Sequence, residues 1–157
     1  MMNNLQTKVD DFLAQKVFAV AGVSRKPKGD AANHIYLKLK NSGYTVFPVN
    51  PNAEEVEGEP CFPDLKNLPH KPDGVVISTR PEVTEEIVRE CIELGIPRVW
   101  MHRSFGEGSV SDKATQLCLD NNITVIAGAC PMMYGKPVDF AHKFMHWILG
   151  ILNKLPE

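Results

Sequence analysis

A glycine followed by several basic residues comes directly after the first apolar run of the chain. Gly22 lies near the end of the run 17–23, and Arg25, Lys26 and Lys28 follow it. Glycine lets a backbone turn sharply and approach a ligand closely. A helix that begins after such a turn presents free N–H groups to an anion, and basic side chains add charge-assisted hydrogen bonds. The segment therefore predicts a site for a phosphate compound in preference to a solvated basic turn.

The spacing of the glycines indicates which class of phosphate compound could bind here. A dinucleotide fingerprint has the pattern G-x-G-x-x-G, whereas this loop places its glycines at Gly22 and Gly29. An NAD site also has a carboxylate after the second strand, where this chain has Asn50 and Pro51. The missing carboxylate favours an adenosine that carries an extra phosphate. NADP and coenzyme A both fit that description, and the spacing does not separate them.

Other residues with reactive side chains give weaker indications. His142 and His146 are four residues apart in a helical pattern, but two ligands seldom make a metal site, and we predict none. Cys130 lies beside the predicted site, where its thiol could form a mixed disulfide with the thiol of a ligand. The main expectation is that Cys130 is a buried, unreactive residue. The role of His102 stays open. No catalytic residue is predicted.

Short apolar runs alternate with helical patterns along the chain, which is typical of a parallel sheet covered by helices. We predict an α/β fold with a doubly wound, Rossmann-like, mostly parallel sheet of five or six strands and helices on both faces. The proline within 45–49 indicates an edge, a bulge or a strand end. The predicted strands are 17–23, 45–49, a short one near 59–62, 73–78, 98–101 and 123–127.

The chain of 157 residues has the size of a single domain. We predict one domain over 1–157, with an N-terminal helix or extension at 1–14 and a C-terminal helix at 137–157. The C-terminal helix has an apolar face wider than packing on a sheet requires, which makes it a candidate contact for a homodimer.

Composition excludes several classes of protein. The formal net charge is −2, so no general positive field exists to hold a nucleic acid. The four cysteines contain no C-x-x-C pair, and no signal sequence or membrane-spanning run is found, which predicts a cytoplasmic protein with reduced thiols.

An ordered set of short motifs resembles the CoA-binding domain family, the Rossmann module found at the front of succinyl-CoA synthetase alpha chains. The chain is most similar to the small stand-alone bacterial members of that family. The resemblance covers about residues 15–135. Its motifs are Gly22-Val23-Ser24 with Lys28, Val49-Asn50-Pro51, Asp73-Gly74-Val75, Arg80-Pro81, Val99-Trp100 and Cys130-Pro131.

The resemblance implies that coenzyme A or an acyl-CoA binds across the carboxyl edge of the sheet. Gly22, Val23 and Ser24 would contact the diphosphate, and Lys28 and Arg25 would supply charge. Asn50 and Pro51 would border the adenosine. The remaining implied contacts are Ser78, Thr79 and Arg80 along the adenine or pantetheine, and Trp100 and Met101 on the floor of the site.

The resemblance also bears on activity. The related ligases react through a phosphohistidine on a second domain, and this chain ends where that domain would begin, so a binding, sensor or accessory protein is expected instead of an enzyme. Two alternatives stay open: an NADP-dependent oxidoreductase, and a nucleotide-sensing regulator that docks a partner through its C-terminal helix.

Overall fold

The computed structural model describes residues 4–25, 31–103 and 108–131. The predicted C-terminal helix at 137–157 and Lys28 lie outside these residues. The helices are α1 (Asn4–Leu13), α2 (Ala31–Asn41), α3 (Pro81–Leu94) and α4 (Asp112–Asp120). The strands are β1 (Val17–Ala21), β2 (Thr45–Val49), β3 (Glu55–Val56), β4 (Glu59–Pro60), β5 (Gly74–Ile77), β6 (Arg98–Met101) and β7 (Thr124–Ala127).

Five strands form one parallel sheet in the spatial order β2-β1-β5-β6-β7. The chain runs outward from β1 to β2 and then returns to the other side of β1 to form β5. This reversal is the switch point at which doubly wound folds open a crevice beyond the carboxyl ends of the strands. The predicted fold class is confirmed.

Helices cover both faces of the sheet. Apolar residues of α1 and α2, such as Phe12 and Ile35, pack with Phe18 on one face. Residues of α3 and α4, such as Val88 and Cys118, pack on the other. Alternate residues of the central strands supply the two cores, because successive side chains of a strand point to opposite faces.

Local interactions define the starts of several elements. Pro81 opens α3, and Ser111 caps α4 by accepting a hydrogen bond from the Ala114 amide at 3.1 Å. The carboxylate of Asp73 accepts a hydrogen bond from the Val17 amide at 3.0 Å, which ties the start of β5 to the start of β1.

The long connection between β2 and β5 contains no helix. It carries the hairpin β3–β4 and then Phe62, which forms a bridge with Val49 on the outer side of β2. The Phe62 amide donates to the carbonyl of Pro48 at 3.0 Å. β2 is an edge strand, as Pro48 indicated. The short strand expected near 59–62 ends at Pro60.

Candidate functional site

The bend after β1 brings the ends of three strands together. β1 ends at Ala21, two residues before the predicted end of that strand, because Gly22 turns the chain with a φ of +100°. The Gly22 amide donates to the Val49 carbonyl at 3.1 Å. A Cβ at position 22 would lie 2.0 Å from the carbonyl oxygen of Ser78. Glycine is therefore required here both for the backbone angle and for the close approach of β5.

Two asparagines hold the bend from opposite sides. The Asn50 Nδ2 donates to the Val23 carbonyl at 2.7 Å, and its Oδ1 accepts a hydrogen bond from the Asn52 amide. Asn33, in the first turn of α2, exchanges two hydrogen bonds with the backbone of Ser24. The bend consequently has a fixed shape that its neighbours determine.

A cleft of about 500 Å³ opens beside this bend. One wall consists of residues from the ends of β1 and β2, and the opposite wall is the exposed side of α3 together with residues 63–66. The volume lies within the usual range for small-molecule sites. The cleft lies at the carboxyl edge next to β1, where the strand order reverses.

The far wall of the cleft is acidic. Asp64, Glu86, Glu90 and Glu93 line it, together with the two cations Lys66 and Arg89. Lys66 pairs with Glu93 at 3.1 Å, and Glu90 accepts a hydrogen bond from the Leu65 amide at 3.0 Å. Carboxylates repel phosphate groups, so charge favours a phosphate at the opposite end, near Gly22 and the exposed Arg25.

Five of the sequence-predicted residues line the cleft, namely Gly22, Val23, Asn50, Pro51 and Thr79. Ser24 and Ser78 are half-buried beside it, and Arg25 and Arg80 are exposed. Thr79 is held by its amide, which donates to Oγ of the buried Ser109 at 2.8 Å.

The structure places Trp100 and Met101 differently from the expected floor of the site. Both side chains are 0% exposed and neither lines the cleft. They lie in the middle of the sheet and point to opposite faces, Trp100 toward α1 and α2 and Met101 toward α3 and α4. The Trp100 Nε1 donates to the carbonyls of Gly128 and Ala129 at 3.2 and 3.3 Å. Trp100 therefore shapes the end of β7 from within the core.

The cysteines near the site are buried. Burial raises the pKa of the Cys61 thiol, whose sulfur lies 3.9 Å from the carbonyl oxygen of Asn50. Cys130 is 2% exposed, which agrees with the buried role expected for it. Among the residues described, no group of three or more His, Cys, Asp or Glu side chains is arranged to hold a metal ion. His142 and His146 lie outside those residues.

Sequence reasoning missed Asn33 and the acidic wall. A signal for Asn33 was present, because this polar residue lies among Ala32, Ile35 and Tyr36 in the apolar stripe of α2. The carboxylates of α3 carry no such signal. Their position opposite the bend depends on the topology of the sheet, and a helical pattern in the sequence does not predict that topology.

Comparison with known proteins agrees with the resemblance. The family described as CoA binding domain matches residues 16–136. The uncharacterized protein YneT of Bacillus subtilis is 29% identical over 132 residues, which are 83% of this chain and 93% of YneT. A solved structure of a hypothetical protein from Pyrococcus horikoshii OT3 has a TM-score of 0.74 at 29% identity and covers 83% of this chain and 88% of that one.

An acetate–CoA ligase (ADP-forming) of Archaeoglobus fulgidus is 32% identical over 88 residues. The match spans 55% of this chain and only 13% of the ligase. The family match confirms the resemblance and supports a small-molecule ligand of the coenzyme A class, whereas nothing in the comparisons supports the NADP alternative. Within the described part of the chain, no helix has the length and apolar character needed to span a membrane.

Proposed function

The chain belongs to the CoA-binding domain family, and from that premise we propose that it binds coenzyme A or an acyl-CoA in the cleft beside β1 as a non-catalytic sensor or accessory protein. One observation carries the proposal. Two motifs far apart in the sequence, Gly22-Val23 and Asn50-Pro51, line the same cleft at the switch point of the sheet.

The charges around the cleft support one orientation of the ligand. The diphosphate and the ribose phosphate lie toward the bend at 22–24, where Arg25 and Lys28 follow in the sequence. The acidic wall of α3 then faces uncharged parts of the ligand, because carboxylates and phosphates repel one another. Asn50 and Pro51 border the adenosine, and Ser78, Thr79 and Arg80 lie along the adenine or pantetheine.

A binding role also fits the chemistry of the thiol beside the cleft. Burial raises the pKa of Cys61, which disfavours the thiolate form that acts as a nucleophile. The side-chain carboxamide of Asn50 donates to the backbone carbonyl of Val23, so its role is to hold the bend in place.

Calorimetric titration of the purified protein with coenzyme A, dephospho-CoA and NADPH tests the proposal. We expect coenzyme A to bind, and dephospho-CoA, which lacks the ribose phosphate, to bind more weakly. Arg25→Ala and Lys28→Ala are each expected to weaken binding by about 1–3 kcal/mol, the usual loss for a charge-assisted hydrogen bond.

Lys113→Ala is the matched control, since this exposed lysine lies on α4 and does not line the cleft. An absence of binding at millimolar coenzyme A would refute the proposal. Tighter binding of NADPH than of coenzyme A would favour the oxidoreductase instead. Equal affinity for dephospho-CoA would remove the role given to the cations.

A further inference from the structure

We propose that Asn33 is a positioning residue for the ligand site and that Glu57 fixes the orientation of its carboxamide. The inference rests on the proposed binding of coenzyme A and deepens it. Neither side chain lines the cleft. Both act on the ligand through the bend at 22–24.

Asn33 joins the bend to the hairpin through three hydrogen bonds. Its Oδ1 accepts from the Ser24 amide at 2.7 Å, and its Nδ2 donates to the Ser24 carbonyl at 2.9 Å. The same Nδ2 donates to Oε1 of Glu57 at 3.1 Å. Asn33 is 0% exposed, so water does not replace a hydrogen-bond partner that is lost.

The chemistry of the partners allows one orientation of the carboxamide. The Ser24 amide only donates, whereas the Ser24 carbonyl and the Glu57 carboxylate accept. Oδ1 must therefore face the amide, and the two hydrogens of Nδ2 must face the two acceptors. An aspartate has the same shape but no hydrogens to donate when ionised, so it would satisfy one of the three partners and repel the Glu57 carboxylate.

The hairpin turn places Glu57 in an unfavourable backbone conformation. Its φ is +52°, in the left-handed region that side chains other than glycine seldom adopt, and it lies in the turn between β3 and β4. The side chain thus links a strained turn to the bend after β1. Two-residue hairpin turns favour positive φ at both central residues, and Gly58 has a φ of +77°, so the turn itself accounts for the conformation of Glu57.

The consequence for binding is that the bend has its final shape before a ligand arrives. The amides of Gly22 and Ser24 already donate to protein acceptors, so they fix the shape of the bend and do not themselves donate to a phosphate. A preorganised site avoids the entropy loss of ordering a loop on binding. Asn33 then affects affinity for the ligand without touching it.

The test measures coenzyme A affinity and thermal unfolding in four variants of the full chain. Asn33→Asp is expected to weaken binding at least tenfold. In the double variant, Asn33→Asp with Glu57→Gln, the carboxamide at position 57 can donate to the carboxylate at position 33. We therefore expect the double variant to recover at least half of the lost affinity, compared as the logarithm of Kd. Glu57→Gly relieves the backbone strain and removes the contact, so we expect affinity to fall about threefold while the unfolding temperature does not fall.

Val125→Ala, in β7 at the opposite edge of the sheet from β2, controls for a general loss of stability and is expected to bind as the parent does. Equal affinity in the parent and Asn33→Asp would overturn the inference, as would the absence of any recovery in the double variant. If Asn33→Asp does not fold, unchanged affinity in Glu57→Gly would overturn it. A parent that does not bind coenzyme A would overturn the proposed function, and the inference with it.

Discussion

Replacement of Gly22 by alanine tests how tightly the ends of β1 and β5 are packed. A non-glycine residue in a left-handed conformation costs about 1–2 kcal/mol. The added Cβ would lie 2.0 Å from the Ser78 carbonyl oxygen, so the strand ends must separate. That movement endangers the hydrogen bonds from Gly22 to Val49 and from Ser78 to Ala21, each worth about 1 kcal/mol. We expect Gly22→Ala to lower the free energy of unfolding by about 3–4 kcal/mol.

Gly43 supplies a matched control for this experiment. Its φ of +99° is nearly that of Gly22, but a Cβ there would meet nothing within 4 Å. Gly43→Ala therefore carries the conformational cost alone, about 1–2 kcal/mol. Urea unfolding of both variants, followed by circular dichroism, gives the difference. A loss in Gly22→Ala no greater than that in Gly43→Ala would show that the close approach of β5 is not rigid and would contradict this prediction.

Two further predictions concern buried groups. Trp100→Phe should lower the free energy of unfolding by about 2–3 kcal/mol, because the carbonyls of Gly128 and Ala129 lose a hydrogen-bond donor and the core loses volume. Urea unfolding measures this change, and an unchanged unfolding midpoint would contradict the prediction. Burial raises the pKa of Cys118 from 9.0 to about 12, so the folded state retains a proton that the unfolded state releases above pH 9. The contribution of this thiol to stability is complete below pH 9 and falls above it by about 1.4 kcal/mol per pH unit. Stability measured from pH 8 to 11 should therefore decline less steeply in Cys118→Ala than in the parent, and parallel declines would contradict the assignment.

Much of the fold could be predicted because its elements have strong local signals. The limits of β2 and β6 agree with the predicted 45–49 and 98–101, and Pro81 begins α3 where a first-turn proline is favoured. The apolar runs of β1 and β5 are typical of strands buried on both faces, as the two-sided core requires. These properties depend on residues close together in the sequence.

The candidate site was less predictable because it depends on contacts between distant segments. Trp100 was expected at the ligand, but its place inside β6 and the helices that cover both faces put it in the core. The contact of Asn33 with Glu57 joins residues 24 positions apart, across a connection whose path no local pattern gives. The acidic wall likewise arises because α3 lies opposite the bend.

The proline in β2 has a consequence for how copies of the protein behave at high concentration. Thr45 and Val49 direct their backbone groups toward β1, so Pro48 faces outward along the open side of the sheet. Proline has no N–H to offer, and its carbonyl is already occupied by Phe62. A strand from another molecule would find few partners there, and exposed strand edges are common starting points for aggregation. We therefore expect this edge of the sheet to pair poorly with strands of other copies of the protein.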